Sequence, residues 1–349
     1  MKVAIVTLID YYNQGNRLQN YALQEKIKEL GHEVDTLGVF ALRGLYGAVE
    51  FSMHIFFTPL YKRMKKNKIL SNQTQKLIAV DNYSKKKLNE LGKKYDAVVI
   101  GSDQVWNPQY LDYPYVLFGL FADKEKCMSY AGSFGVSKIA KNRFKKYKKG
   151  LGHIPYISVR ENEGSALVKE IVGENAPVVL DPTLLLTKEE WMKYAKSYPN
   201  KPKKYLLTYS LMPKKKVNRY IKKLQKETGL EVVNLNRGRD KHFIHTSAEF
   251  IDLFLNAEVI VTNSFHGHAM SIALEKPFIS FISKKSTSSR VYSLLKNLGL
   301  ENRTSDKIKK EEYFTLDYTD VNKKLAKKRE ESLAFLKKSL ESIEKSKTK

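Results

Sequence analysis

The sequence predicts an α/β protein built as two Rossmann-like, doubly wound lobes facing a cleft, with a helix closing the C-terminus. Three observations carry this expectation. Apolar, strand-length runs alternate with segments of helical spacing almost from the first residue, the pattern of parallel sheets covered on both faces. The alternation lapses over residues 187–204, where Pro199, Pro202 and several lysines stand, and then starts again. The chain has 349 residues, too many for one ordinary core and enough for two domains of roughly 150 residues each. The expected domains are 1–190, with an irregular, mostly helical insertion over about 41–94, then 200–320, then a terminal segment 321–349.

Residues 2–8 read as a buried strand because every position from Val3 to Leu8 except Thr7 is apolar. Leu18, Tyr21, Ala22, Lys26, Ile27 and Leu30 recur at helical spacing, and Gly31 follows as a C-cap glycine would. Further strands are expected over 33–39, 96–100, 127–133, 155–160 and 177–186, with a helix over 165–172. In the second lobe, strands over 205–210, 231–235, 259–262 and 277–282 alternate with helices over 214–228, 248–256, 267–274 and 289–298. Past Val321, Leu325, Leu333, Leu336, Leu340 and Ile343 fall at roughly helical spacing in a Lys/Glu-rich run. They predict an amphipathic closing helix, with a return onto the first lobe as a further expectation.

Composition narrows the function. Lys+Arg number 62 against 37 Asp+Glu, a formal charge of +25, which favours anionic partners such as nucleic acid, phosphorylated metabolites or an acidic membrane face. The lysines are scattered through 62–68, 141–149, 201–216 and the C-terminal tail, mostly as solvated faces. No nucleic-acid partner is expected, since no recognition-helix pattern or aromatic stacking platform accompanies the charge. Cys127 is the only cysteine, which excludes an intrachain disulfide and a cysteine-rich zinc module and fits a reducing, cytoplasmic setting. The N-terminal run reaches Asp10 too early for a signal peptide. Residues 45–61 are apolar and aromatic but contain Glu50 and His54 and fall short of the ~20 apolar residues that span a bilayer. With the basic cluster Lys62-Arg-Met-Lys-Lys-Asn-Lys68 behind them, they suit either packing on their own domain or contact with an anionic membrane surface.

Ligands of open parallel sheets sit at the carboxyl ends of strands, so the polar residues just after apolar runs are the site candidates. The foremost is Val259-Ile-Val-Thr-Asn-Ser-Phe-His266-Gly-His268, where a strand delivers a histidine to a glycine and a helix start. A histidine there can move protons near neutrality, its bland alternative being a packed core ring. Asn13-Gln-Gly-Asn-Arg-Leu-Gln-Asn20 is a polar loop feeding a helix start, which can hold an anion, or in which Asn16 is simply the N-cap. With one glycine it is neither a dinucleotide fingerprint nor a P-loop. Arg160 ends an apolar strand, a position for an anion clamp or for an internal ion pair with Glu161, Glu163 or Asp181. His266 and His268 lack a third ligand nearby, so no metal is expected. No Asp-x-Asp and no Gly-x-Ser-x-Gly occurs, against a metal-dependent nucleotide-sugar site and a hydrolase elbow.

Seven stretches taken in order resemble the polysaccharide pyruvyl transferase family. They are Gly15-Asn-Arg-Leu-Gln-Asn-Tyr-Ala-Leu-Gln24, Tyr95-Asp-Ala-Val-Val-Ile-Gly-Ser-Asp-Gln-Val-Trp-Asn107, Ser129-Tyr-Ala-Gly-Ser-Phe-Gly135, Ile157-Ser-Val-Arg-Glu161, Val179-Leu-Asp-Pro-Thr183, Thr262-Asn-Ser-Phe-His-Gly267 and Ser288-Ser-Arg-Val-Tyr-Ser-Leu-Leu295. The resemblance implies a GT-B-like fold and transfer of the enolpyruvyl unit of phosphoenolpyruvate to a sugar as a cyclic pyruvate ketal, with phosphoenolpyruvate a co-substrate and no cofactor. It implies His266 as general acid or base and Arg160 as the clamp on the donor carboxylate or phosphate. Some members carry Arg-Leu-His-Gly where this chain has Ser264-Phe-His-Gly267, so Ser264, the amides at Gly267 and His268, and Arg290 are expected to share the phosphate. Asn16, Arg17, Gln19 and Ser102 are expected to face the acceptor sugar, with Asp103 a second base. The expected protein is a cytoplasmic enzyme, at the inner membrane face if its acceptor is lipid-linked. The rival readings are a GT-B-type nucleotide-sugar glycosyltransferase and a non-enzymatic anion or nucleic-acid binding protein.

Overall fold

A computed structural model of the chain describes residues 1–11, 13–40, 58–210, 215–235, 242, 245–282 and 289–347. The chain divides into two compact units, one made of Met1–Phe51, Lys68–Leu185 and Lys327–Lys349, the other of Ser52–Asn67 and Leu186–Ala326.

The first unit opens with β1 (Lys2–Ile9), α1 (Gln14–Glu29) and β2 (Glu33–Phe40). α2 (Thr58–Thr74), β3 (Leu77–Ala79), α3 (Lys85–Gly92), β4 (Ala97–Ile100), α4 (Pro114–Leu117), β5 (Cys127–Ser129), α5 (Phe144–Leu151) and α6 (Asn162–Val172) follow. Its five strands form one sheet in the order β3-β2-β1-β4-β5, and every pair is parallel, as in Val3 beside Val34 on one flank and beside Ala97 on the other. All of Val3 to Val6 and Ala97 to Ile100 is fully buried, as a sheet covered on both faces requires. The order reverses between β1 and β4, so the loops leaving those two strands flank the point where doubly wound sheets open a crevice.

The second unit holds α7 (Lys188–Tyr194), β6 (Tyr205–Tyr209), α8 (Lys215–Thr228), β7 (Glu231–Asn234), α9 (Ser247–Leu255), β8 (Val259–Thr262), α10 (Phe265–Ala273), β9 (Phe278–Ser280) and α11 (Ser289–Leu298). Its sheet is β7-β6-β8-β9, again wholly parallel, with the reversal between β6 and β8. The chain closes with α12 (Thr319–Ser346). Val321 and Leu325 of α12 are buried in the second unit, while Leu336, Leu340 and Ile343 are buried in the first. There Leu180 N donates to Ser332 Oγ at 3.0 Å and Arg329 Nε to the Leu184 carbonyl at 2.7 Å.

Several expected elements differ. α1 begins four residues before Leu18, because the Asn13 side chain accepts the Asn16 amide and caps the helix, so Asn16 is not the N-cap. Of the strand expected over 127–133 only Cys127–Ser129 forms, and 155–160 and 177–186 contribute single bridges, Met128 to Tyr156, Gly132 to Val159 and Val159 to Val178. Serine hydroxyls replace ladder bonds here: Ser158 Oγ donates to the Ser129 carbonyl, Ser129 Oγ to the Ser158 carbonyl, and Ala131 N to Ser158 Oγ. Within the expected insertion, β3 adds an edge strand that the sequence reading did not anticipate, and residues 41–57, which hold most of the apolar segment 45–61, lie outside the described residues. Among those described, no helix is long and apolar enough to cross a membrane.

Candidate active site

In the first unit the loops after β1 and β4 are tied together at the sheet's reversal point. Asn16 Nδ2 donates to Asp103 Oδ2 at 2.8 Å, while Asn16 Oδ1 accepts from Asp10 N at 3.0 Å and from the Arg17 guanidinium. Gly101 (φ 112°) and Asp103 (φ 70°) both stand in the left-handed region. Glycine takes it without cost, whereas for an aspartate it is strained and must be held by its surroundings. The holders are Asn16 and Arg160, whose Nη2 lies 3.5 Å from Asp103 Oδ1. Asp103 as a whole is 8% exposed.

Arg160 itself is enclosed, its side chain 1% exposed. Nη1 donates to Asp181 Oδ2 at 2.7 Å and Nε lies 3.9 Å from Glu161 Oε2. Burial works against its charge, but Asp181, Asp103 and Glu161 together outweigh burial and raise its pKa above the ordinary value. Of the two roles open to this residue in the sequence, the internal ion pair is formed. Asp181 is locked in turn by Thr183, whose amide and hydroxyl donate to Oδ1 at 3.0 and 2.6 Å, and Glu161 Oε1 accepts from Ser133 Oγ and Phe134 N.

Three residues expected to face an acceptor are bonded into the frame of the first unit. Arg17 donates to the Leu8 carbonyl at 3.0 Å, Gln19 Nε2 to Thr7 Oγ1 and the Asn16 carbonyl, and Ser102 Oγ to the Ala131 carbonyl. All three are fully buried, and their polar groups hold the β1 and β4 loops. Asn16 and Asp103 remain as the pair at the reversal point.

In the second unit β8 ends at Thr262 and Ser264 begins α10 as its N-cap. His266 therefore lies inside the first helical turn, and not in a turn preceding a helix at 267 as expected. It is 5% exposed, with its ring edge-on to Phe265. A Cβ at Gly267 would overlap Thr262 Oγ1, so only glycine lets the helix start this close to the strand. Thr262 Oγ1 donates to the Tyr209 carbonyl at 2.5 Å and accepts Ser264 N at 3.1 Å. Ser264 Oγ is buried with no hydrogen-bond partner among the described residues, and it does not cap its own helix. The first-turn amides of α10, Gly267 included, are of the kind that have no partner within a helix.

His268 departs from its expected donor role. Its amide donates to the Ser264 carbonyl at 3.1 Å, an ordinary helical bond, so it is not available to a phosphate. Its fully buried ring bridges Nδ1 to the Ser264 carbonyl and Nε2 to Ser280 Oγ, both at 2.7 Å. A carbonyl only accepts, so Nδ1 carries the proton, and burial pushes the ring's pKa down to about 4. His268 is a neutral clamp on the N-cap residue of α10. Arg290 lies in the first turn of α11, half-buried. No group of three or more His, Cys, Asp or Glu among the described residues could hold a metal ion.

In the sequence Asp181 and Glu161 stand out only as possible partners for Arg160, and nothing marks Asp10 as part of the site. The signal for Asp181 was present: Asp followed by proline and a threonine two residues on is a local side-chain turn.

A family model described as polysaccharide pyruvyl transferase matches residues 13–285. No curated protein sequence matches the chain. Among solved structures, a UDP-GlcNAc 2-epimerase from Neisseria meningitidis bound to UDP-GlcNAc is similar over 96% of this chain and 94% of its own, at 11% identity and a TM-score of 0.49. An alpha-glucosyltransferase in complex with UDP is similar over 98% and 94%, at 10% identity and 0.48. A UDP-GlcNAc 2-epimerase from Methanocaldococcus jannaschii is similar over 95% and 92%, at 14% identity and 0.46.

Proposed function

Because this chain belongs to the polysaccharide pyruvyl transferase family, we propose that it transfers the enolpyruvyl unit of phosphoenolpyruvate to a sugar of a surface polysaccharide precursor, closing it as a cyclic pyruvate ketal. The observation that carries the reading is the family match itself. It runs unbroken from the Asn16 loop to the His266 helix start and so takes in both candidate clusters.

The chemistry assigns each cluster a task. A proton goes to the methylene carbon of the donor as a sugar hydroxyl adds to its central carbon. The phosphate then leaves, and a second hydroxyl of the same sugar takes its place and gives up its proton to the phosphate. One diol and one phosphoenolpyruvate thus become one ketal and one inorganic phosphate. In this proposal His266 carries the protons of the donor step, since an imidazole can give and take a proton near neutrality. The donor's anionic groups meet the Ser264 hydroxyl, the first-turn amides of α10 at and before Gly267, and Arg290. Asp103, held by Asn16 and Arg160, is the base for an acceptor hydroxyl, with Asn16 beside it. Three carboxylates surround Arg160, a setting that repels a further anion, so its task here is to hold Asp103 in place and not to grip the donor. No metal or resident cofactor is assigned, and the acceptor is a lipid-linked sugar handled at the cytoplasmic face of the membrane.

His266→Ala tests this directly. Phosphate release from phosphoenolpyruvate in the presence of acceptor is expected to fall ~100- to 10,000-fold, the range of a lost general acid or base, with the melting temperature unchanged. Turnover close to that of the unaltered chain contradicts the assignment.

A further inference from the structure

The first unit carries a feature that the transfer reaction does not use. The chain has no acid between Glu125 and Glu161, and within residues 138–149 stand Lys138, Lys141, Arg143, Lys145, Lys146, Lys148 and Lys149. All seven are exposed, and none pairs with an acid among the described residues. The backbone beneath them is firmly seated. Tyr147 and Leu151 are buried in the core, Tyr147 Oη donates to the Trp106 carbonyl at 2.7 Å, and Arg143 Nη1 donates to the Pro108 carbonyl at 2.8 Å. Lys145, Lys148 and Lys149 stand at i, i+3 and i+4, the face of α5 opposite Tyr147 and Leu151. Packing α5 needs only its apolar side; nothing in the fold calls for an all-cationic outer side, and like charges at that spacing repel one another.

We propose that this face docks the protein on an anionic lipid surface. Four to eight Lys or Arg on an amphipathic helix is the charge cluster that anionic headgroups attract, at about 1 kcal/mol per residue. The composition of the face favours lipid over nucleic acid. Phe144 is half-buried and Tyr147 buried, so no aromatic platform is offered for stacking bases. The one arginine is engaged with a carbonyl, as is Lys146, whose Nζ donates to the Leu111 carbonyl at 3.1 Å; the remaining compact ammonium groups suit a diffuse layer of charge and not forked recognition of single phosphates. None of these seven residues belongs to either site cluster, and the function of the face does not depend on the identity of donor or acceptor.

The test uses the full chain and sedimented vesicles, either pure phosphatidylcholine or phosphatidylcholine with phosphatidylglycerol. The chain is expected to sediment with the mixed vesicles only, and to be released by salt. The variant K145E/K148E/K149E is expected to lose ~100-fold or more in partitioning, from three cations at the strength given above, with an unchanged or higher melting temperature. K216E/K222E/K226E makes the same change in net charge on exposed positions of α8, and it is expected to stay within a few-fold of the unaltered chain. The proposal is overturned by any of four results: full partitioning of the α5 variant, an equal loss in the α8 variant, equal binding to neutral vesicles, or a chain that ignores both vesicles while shifting single-stranded RNA.

Discussion

At the scale of single residues, Arg160 shows how far a side chain's neighbours decide what it can do. An arginine at the end of a buried strand is as consistent with a ligand clamp as with an ion pair, and the sequence held both readings open because two of the three partner carboxylates are distant along the chain. Asp103 is 57 positions away and Asp181 is 21. Folding brings these acids and Glu161 around one guanidinium, so removing it leaves a cluster of enclosed carboxylates with no counter-charge. Arg160→Ala is therefore expected to lower unfolding free energy by about 3–5 kcal/mol, read as a shift of the urea midpoint. A stability near that of the unaltered chain, with only weaker donor binding, would restore the clamp. The same logic limits what could be read for Arg17, Gln19 and Ser102. The family resemblance marked them as ligand-facing, yet their bonds go to the backbone carbonyls of Leu8, Asn16 and Ala131, which no spacing rule reveals.

At the scale of elements, most boundaries were legible because apolar periodicity follows burial. β8 and α11 fall where the sequence puts them, and Gly31, at φ 84°, ends α1 as its position implied. The illegible parts are those where side chains substitute for backbone pairing, as Ser129 and Ser158 do, or where the helix cap is unusual. α10 is the clearest case. A serine at an N-cap normally accepts a first-turn amide, but here His268 holds the Ser264 carbonyl and the Ser264 hydroxyl is left over. The ring has its usual value of 6.5 when unfolded and about 4 when folded. Between those values the unfolded chain binds a proton that the folded chain refuses. Stability is thus retained above about pH 6.5 and is lost as pH falls toward 4, by about 3 kcal/mol in all. His268→Asn is expected to flatten that part of the urea-unfolding profile while costing stability at neutral pH. A variant profile parallel to that of the unaltered chain would contradict the neutral clamp.

At the scale of the whole molecule, the two wholly parallel sheets, ordered β3-β2-β1-β4-β5 and β7-β6-β8-β9, match the two-lobed alternation of the sequence, whereas the strand orders themselves, set by long-range pairing, were not legible in it. The amphipathic character of α12 was legible in its leucine spacing, and residues 327–349 of the chain belong to the first unit. Membership of the polysaccharide pyruvyl transferase family gives the arrangement its chemical meaning, and the donor is the central claim. The most direct measurement is to incubate the purified chain with phosphoenolpyruvate labelled with carbon-13 at its central carbon and a panel of lipid-linked sugars, following inorganic phosphate and the carbon spectrum together. The expected result is one phosphate released for each labelled ketal carbon formed, with the enol signal disappearing in step. Phosphoenolpyruvate left intact across the panel, with a glycosyl group transferred from an added nucleotide-sugar, would contradict it.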